Sequence, residues 1–303
     1  MYKFINDYPY FRENGLSHEC QGVCHDSDNW FFTQNGNLWK IPLKQDLNQK
    51  FKGTDAAKGV IKVKIGGHLG DIDYYGGYIF IPYMGDDYET YISVRRADNL
   101  SFVAKQPTYR FGLRFKSIGW CAINHGYLYT SGSTVHGILD PIVVYKIDLD
   151  ALKNGSNNFL SQATCIVPCI EVPNAGKQFT LLRELKDMQG GCFDDDNNLH
   201  IANGYWKNAG GREGQGIWVM RVPEPPFHDG CYNVQFHTKS NQKSGFKYKF
   251  DTSGQEPEGL TWWDLDADPR APSKERGQLH VILLDNDPGG TDDLVFKHFR
   301  RTK

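Results

Sequence analysis

The chain has little methionine and no long apolar run. Only 4 of its 303 residues are Met, and no stretch approaches the ~20 apolar residues that cross a bilayer as a helix. A membrane-spanning helix is therefore excluded. A basic excess is missing too, because 34 Lys plus Arg stand against 36 Asp plus Glu, for a net charge of −2. A surface that tracks phosphates needs surplus cations, so nucleic acid is excluded as the main partner. No phosphate loop, dinucleotide fingerprint or haem-attachment motif occurs. Ser131-Gly132-Ser133-Thr134-Val135-His136 places a serine near a histidine but lacks the Gly-x-Ser-x-Gly elbow, which argues against a serine hydrolase.

The start of the chain, Met1-Tyr2-Lys3-Phe4-Ile5-Asn6-Asp7, has neither the apolar segment nor the small-residue cleavage site of a secretory signal. A cytoplasmic location is the default expectation, although prior removal of a leader would be compatible with secretion. Seven cysteines cannot all pair within one chain, so mostly reduced thiols are expected. Cys20-x-x-x-Cys24 and Cys165-x-x-x-Cys169 have the wrong spacing for a zinc knuckle. Asn99-Leu100-Ser101 and Asn154-Gly155-Ser156 match the N-glycan acceptor pattern, and without an export signal they read as chance turn sequences.

What the chain does have is 32 Gly, 16 Tyr, 18 Phe and 7 Trp, a composition of strands and turns. It also repeats. Residues 21–32, 68–81, 117–129, 189–201 and 258–265 share one design: a glycine, a turn, then a strand rich in aromatic and β-branched residues. The glycines fall at Gly22, Gly70, Gly119, Gly190 and Gly259, spaced by 48, 49, 71 and 69 residues. Hairpin signals follow them at 26–29, at Gly76-Gly77, at Asn124-His125-Gly126 and at 194–198. Third strands are expected at 38–41, 91–94, 142–147, 217–222 and 294–299.

Such radially repeated sheets predict an all-β fold, a five-bladed β-propeller forming a single domain over residues 1–303. The long third and fourth spacings leave a six-bladed ring, or a sandwich, as the alternative. Fourth strands are expected at 163–172 and 246–250, and residues 2–5 supply the outer strand that closes the ring and removes an exposed edge. The one expected helix covers 177–188. Cys24, Cys121 and Cys192 each lie two residues after a repeat glycine, which marks them as packing residues between blades.

Ligands in a propeller enter the axial funnel where the inner strands begin. There the sequence places Gln21, His68, Asp71, Gln189 and Glu258. His68 and Asp71 are the candidates for proton transfer. Gln21, Gln189 and Glu258 would hold a divalent cation such as Ca²⁺, which takes 6–8 oxygen ligands, or would orient a substrate. Trp120, Tyr205 and Trp206 are candidate rings for stacking on a carbohydrate, and Arg212 in the 203–215 loop is a candidate anchor for an anionic group.

Glu256-Pro257-Glu258-Gly259-Leu260 is the most specific short motif. Its Glu-Gly-Leu start resembles the metal-bearing blade starts of the SMP-30/gluconolactonase-like and calcium-dependent apyrase propellers. The resemblance implies a central cation that polarises a substrate oxygen or activates water, with Glu258 among its ligands. Gly70-Asp71-Ile72-Asp73-Tyr74 and Phe193-Asp194-Asp195-Asp196-Asn197 resemble the carboxylate-bearing blades of five-bladed glycosidases. Blade one departs from that pattern, offering Gln21 where a catalytic Asp is expected. The expected function is a small-molecule hydrolase or lyase with one asymmetric site at the axis. The alternative is a non-catalytic propeller that binds a carbohydrate or a protein through loop aromatics.

Overall fold

The computed structural model describes residues 2–10, 15–16, 18–85, 89–110, 112–133, 141–171, 179–181, 188–204, 216–228, 230–239, 255–285 and 293–302. Five antiparallel sheets are arranged as the blades of a propeller. Blade one runs Cys20–His25, Asn29–Gln34, Asn37–Pro42 and Ile61–Lys64 from the axis outward. In blade two the inner strand is split into His68–Leu69 and Asp73–Tyr75, followed by Tyr78–Met84, Thr90–Arg96 and Phe102–Pro107. Blade three is Ala122–Asn124, Tyr127–Thr130, Ile142–Ile147 and Leu160–Glu171, and blade four is Met188–Phe193, Asn198–Asn203, Gly216–Arg221 and Cys231–Lys239. Blade five comprises Gln255–Trp262, Leu279–Asp285 and Asp293–Arg301, and its outer strand is Tyr2–Tyr10 from the start of the chain, in register Tyr2 to Arg301.

The core counts the blades independently. Apolar side chains fall into five clusters, one in each layer between neighbouring blades. Leu69, Ile72 and Ile79 of blade two meet Cys24, Phe31 and Leu38 of blade one. Phe80 and Val94 meet Cys121 and Val143 between blades two and three. Trp120 and Tyr129 meet Leu199 and Met220 between three and four. Cys192 and Val219 meet Leu260 and Val281 between four and five. Trp30 and Phe32 meet Trp263 and Phe296 where five closes on one. Five layers exclude the six-bladed alternative, and the recurrent cysteines lie inside them, where burial raises each thiol pKa.

Two expectations need correction. The fourth strand of blade four is Cys231–Lys239, and residues 246–250 lie outside the described residues. Within the expected helix at 177–188, Phe179–Leu181 is a strand and Met188 opens the inner strand of blade four. The α-helix among the described residues, Leu149–Lys153, starts where the Asp148 side chain accepts the N–H groups of Asp150 and Ala151, an N-cap with a sequence signal. The thiols are mostly reduced, as expected, with one pair joined. Leu160–Glu171 and Cys231–Lys239, the outer strands of adjacent blades, pair in parallel, and a Cys165–Cys231 disulfide crosses the pair. Cys20, Cys24, Cys121 and Cys192 are free and buried.

Closure by the N-terminal strand is polar as well as apolar. Lys297, fully buried, donates to Asp7 at 2.9 Å, and the His298 ring is 2.7 Å from the Tyr8 carbonyl oxygen. Nearby, the Trp30 indole N–H donates to buried Glu275 at 3.0 Å. Burial, assisted by Asp46, pushes the Glu275 pKa up to about 8. Its folded pKa thus lies above its unfolded value, so its contribution to stability is complete at low pH and is lost as pH rises through 8. Above pH ~6.5 the buried histidines, whose pKa values burial lowers, no longer oppose this trend. Between pH 6.5 and 8 the unfolding free energy is expected to fall by about 2 kcal/mol through Glu275. Denaturant unfolding of Glu275→Gln should show a shallower decline over this range; equal slopes for both proteins would refute the assignment.

Candidate functional site

The five repeat glycines meet around the axis, and this contact shapes everything near it. A Cβ on Gly70 would lie 2.1 Å from the Gly119 carbonyl oxygen, one on Gly190 would lie 2.2 Å from the Glu258 carbonyl oxygen, and one on Gly22 would lie 2.4 Å from the Asp71 Cα. A Cβ on Gly259 would lie 2.6 Å from the Gly22 Cα. Backbone therefore touches backbone around the ring, which only glycine permits.

Asp71 sits at this centre, fully buried. Its Oδ1 accepts the N–H groups of Val23 at 2.9 Å and Ile72 at 3.0 Å. Its Oδ2 accepts those of Gly191 at 2.9 Å and Leu260 at 3.2 Å. Val23, Gly191 and Leu260 each follow a repeat glycine, in blades one, four and five. The Asp71 backbone pairs with blade three, donating to the Gly119 carbonyl and accepting from the Cys121 N–H. One residue thus ties all five blades. Burial raises its pKa well above the ordinary carboxylate value, and the cross-blade N–H groups offset part of that rise. Four donors converge on two oxygens, so the cage suits the carboxylate form. This corrects its expected place in an open funnel. Asp73 acts similarly: its Oδ2 accepts the Ile123 N–H of blade three at 2.6 Å, and burial pushes its pKa up to about 7.

The residues preceding the glycines do not form a continuous polar ring. Leu69 and Ile118 belong to the apolar layers, whereas Gln21 and Gln189 are half-buried and Glu258 is 5 % exposed. Polarity gathers between blades four and five, where the Gln189 amide donates to Glu256 across the interface at 2.7 Å. Glu256 itself is 6 % exposed. Glu256 belongs to the Glu256-Pro257-Glu258-Gly259-Leu260 motif, but neither its burial nor its Gln189 partner is visible in the sequence. His68 opens the inner strand of blade two and is exposed at the same end of the ring. Desolvation lowers its pKa, while Glu19 pulls it upward. The donors to the Asp71 side chain are Val23, Ile72, Gly191 and Leu260, and His68 is not among them.

Other expected contacts are redistributed. Trp120 is fully buried, its indole N–H donating to Ser131 at 2.8 Å and its ring against Gly191. It is a packing residue between blades three and four with no face open to a ligand. Tyr205, Trp206 and Arg212 lie outside the described residues. Among the described residues no three His, Cys, Asp or Glu side chains gather as a metal site. Of the set Gln21, Gln189 and Glu258, the Gln189 side-chain N–H is engaged by Glu256.

No protein-family model and no curated protein sequence matches the chain. Solved structures that resemble it include a chain of a nidogen/laminin complex, 13% identical, with 91% of this chain and 99% of that chain covered at a TM-score of 0.46. A thermostable family-43 glycoside hydrolase is 10% identical over 93% of this chain and 88% of that one, with a TM-score of 0.48. The Neurospora crassa Pan2 WD40 domain is 11% identical over 94% of this chain and 64% of that one, with a TM-score of 0.36. None of these similarities says what this chain binds or transforms.

Proposed function

We propose that the strand-start end of the axis is the active site of a hydrolase acting on a small hydroxylated substrate, through a glycosidic, ester or lactone bond. The observation that carries this reading is the acid pair Glu256 and Glu258, both almost fully buried on the inner strand of blade five, with Glu256 held by Gln189 of blade four. Carboxyl groups fixed across a blade interface are positioned rather than solvated, and glycosidic hydrolysis uses two of them. His68, exposed at the same end with a lowered pKa, offers a neutral imidazole at pH 7 that can accept a proton. Asp71 has no acid–base part in this scheme, and no step depends on a metal.

The test is turnover of p-nitrophenyl glycosides, aryl esters and sugar lactones by the wild type, His68→Ala and Glu256→Gln. Each substitution is expected to lower the rate by about 10²–10⁴-fold without changing the melting temperature. No turnover by the wild type on any of these substrates, or full activity in both variants, would overturn the reading.

A second reading, a binding module, draws on the rim of blade two. Tyr91 lies under Lys105 at 4.5 Å and Arg114 at 4.9 Å. Phe102, Tyr109 and Leu113 are 55 %, 40 % and 61 % exposed. Rings and cations of this kind suit a sugar or protein surface. Binding on a glycan or peptide array that is lost in Phe102→Ala and kept in His68→Ala would favour it.

A further inference from the structure

Two acceptor-pattern asparagines stand out once the blades are in place. Asn99 lies in the turn between Thr90–Arg96 and Phe102–Pro107 of blade two, and Asn154 caps the C-terminus of Leu149–Lys153, between Ile142–Ile147 and Leu160–Glu171 of blade three. Both are exposed. The Asn99 Oδ1 accepts the Ser101 N–H at 2.8 Å, a contact that does not use its amide nitrogen. Both asparagines sit between the third and fourth strands of adjacent blades. In an up-and-down blade that connection is at the end opposite the start of the inner strand. The two positions therefore share one face, away from His68, Gln189 and Glu256. The segments are also joined, because the Gln106 side chain of blade two accepts the N–H groups of Phe159 and Leu160, both at 2.7 Å.

The Cys165–Cys231 disulfide is an independent observation pointing the same way. It joins outer strands of different blades, and such bonds persist in oxidising compartments. We propose that Asn99 and Asn154 are N-glycan acceptors of a chain that matures in an oxidising compartment, and that their glycans cover the face opposite the strand-start mouth. Attachment forms a bond from each asparagine Nδ2 to C1 of an oligosaccharide. It breaks the bond from C1 to a lipid diphosphate carrier and releases the amide proton. The disulfide forms as the two thiols give two protons and two electrons to a disulfide-bearing oxidoreductase. The cytoplasmic default expected from the start of the sequence is replaced by this reading.

The experiment is translation of the full chain, with a signal sequence, into eukaryotic microsomes, where attachment is read by gel mobility before and after peptide-N-glycosidase. Expression of the same chain through a secretory pathway then supplies protein for peptide mapping without reduction. Two glycan steps are expected, one lost in Asn99→Gln and in Ser101→Ala, the other in Asn154→Gln and in Ser156→Ala. Attachment in microsomes does not require the variants to reach the native fold, so poor folding leaves the readout intact. The 165–231 cross-linked peptide is expected in the map. A chain carrying no glycan at either position, or one whose Cys165 and Cys231 are both alkylated as free thiols, would overturn the proposal.

Discussion

Asp71→Asn is expected to abolish cooperative folding of the ring. An asparagine keeps one acceptor oxygen, which can face either the Val23 and Ile72 pair or the Gly191 and Leu260 pair. Its NH₂ group then meets the other two N–H donors head-on. Each buried donor left without an acceptor costs about 1–3 kcal/mol, and more where the lost acceptor was charged. Two such donors, plus the repulsion, amount to roughly 5 kcal/mol, against a total stability of about 5–15 kcal/mol for a typical domain. Asp71→Ala removes all four acceptor contacts and should fare no better. Soluble yield and denaturant unfolding provide the measurement. A variant that melts within a few degrees of the wild type would show that the carboxylate is not what holds blades one, four and five to blade two. The same result would return Asp71 to the list of acid–base candidates.

Gly70→Ala carries the second large effect, and its size can be ordered against the other repeat glycines. At Gly70 the added methyl would meet the Gly119 carbonyl oxygen at 2.1 Å and at Gly190 the Glu258 carbonyl oxygen at 2.2 Å, whereas at Gly119 the nearest atom is 3.1 Å away. The first two clashes are with backbone of the next blade, so relief requires the blades to separate. A cost at or above the usual overpacking range of about 1–3 kcal/mol is expected there, and a distinctly smaller one for Gly119→Ala. Thermal melts of the three variants decide the matter. Equal losses, or a greater loss at Gly119, would mean that the axis is looser than the contacts imply.

Much of the architecture is legible in the chain because it rests on local chemistry. Asp26 and Asp194 each lie at a hairpin where their carboxylates collect nearby N–H groups, and this turn chemistry shows directly in the residue types. The aromatic and β-branched strands after each turn are half of an inter-blade layer and repeat for that reason. Closure by the first strand follows from the missing outer strand of blade five. The candidate site is much less legible. Gln21, Leu69, Ile118, Gln189 and Glu258 are equivalent in the repeat, yet two enter apolar layers and only Gln189 is bonded to Glu256. Trp120 looks like a ligand-stacking ring in sequence and is interior, and Arg270, a cation in an Asp-rich loop, is committed to Asp28 and Asp268.

By itself, then, the sequence determined the glycine register and the hairpins, since these follow from repeated short-range propensity, while the choice of five blades over six came from the inter-blade layers. The tertiary structure alone decided what the acids do. Three of the four Asp71 donors lie 48, 120 and 189 residues away in the chain, and Cys231 lies 66 residues from Cys165. No local pattern encodes such pairings. The Asp71 pairings arise because ring closure brings the backbone N–H groups of three blades to one point, where a buried carboxylate lowers the energy of all of them together, and the disulfide follows from the parallel pairing of the outer strands of blades three and four.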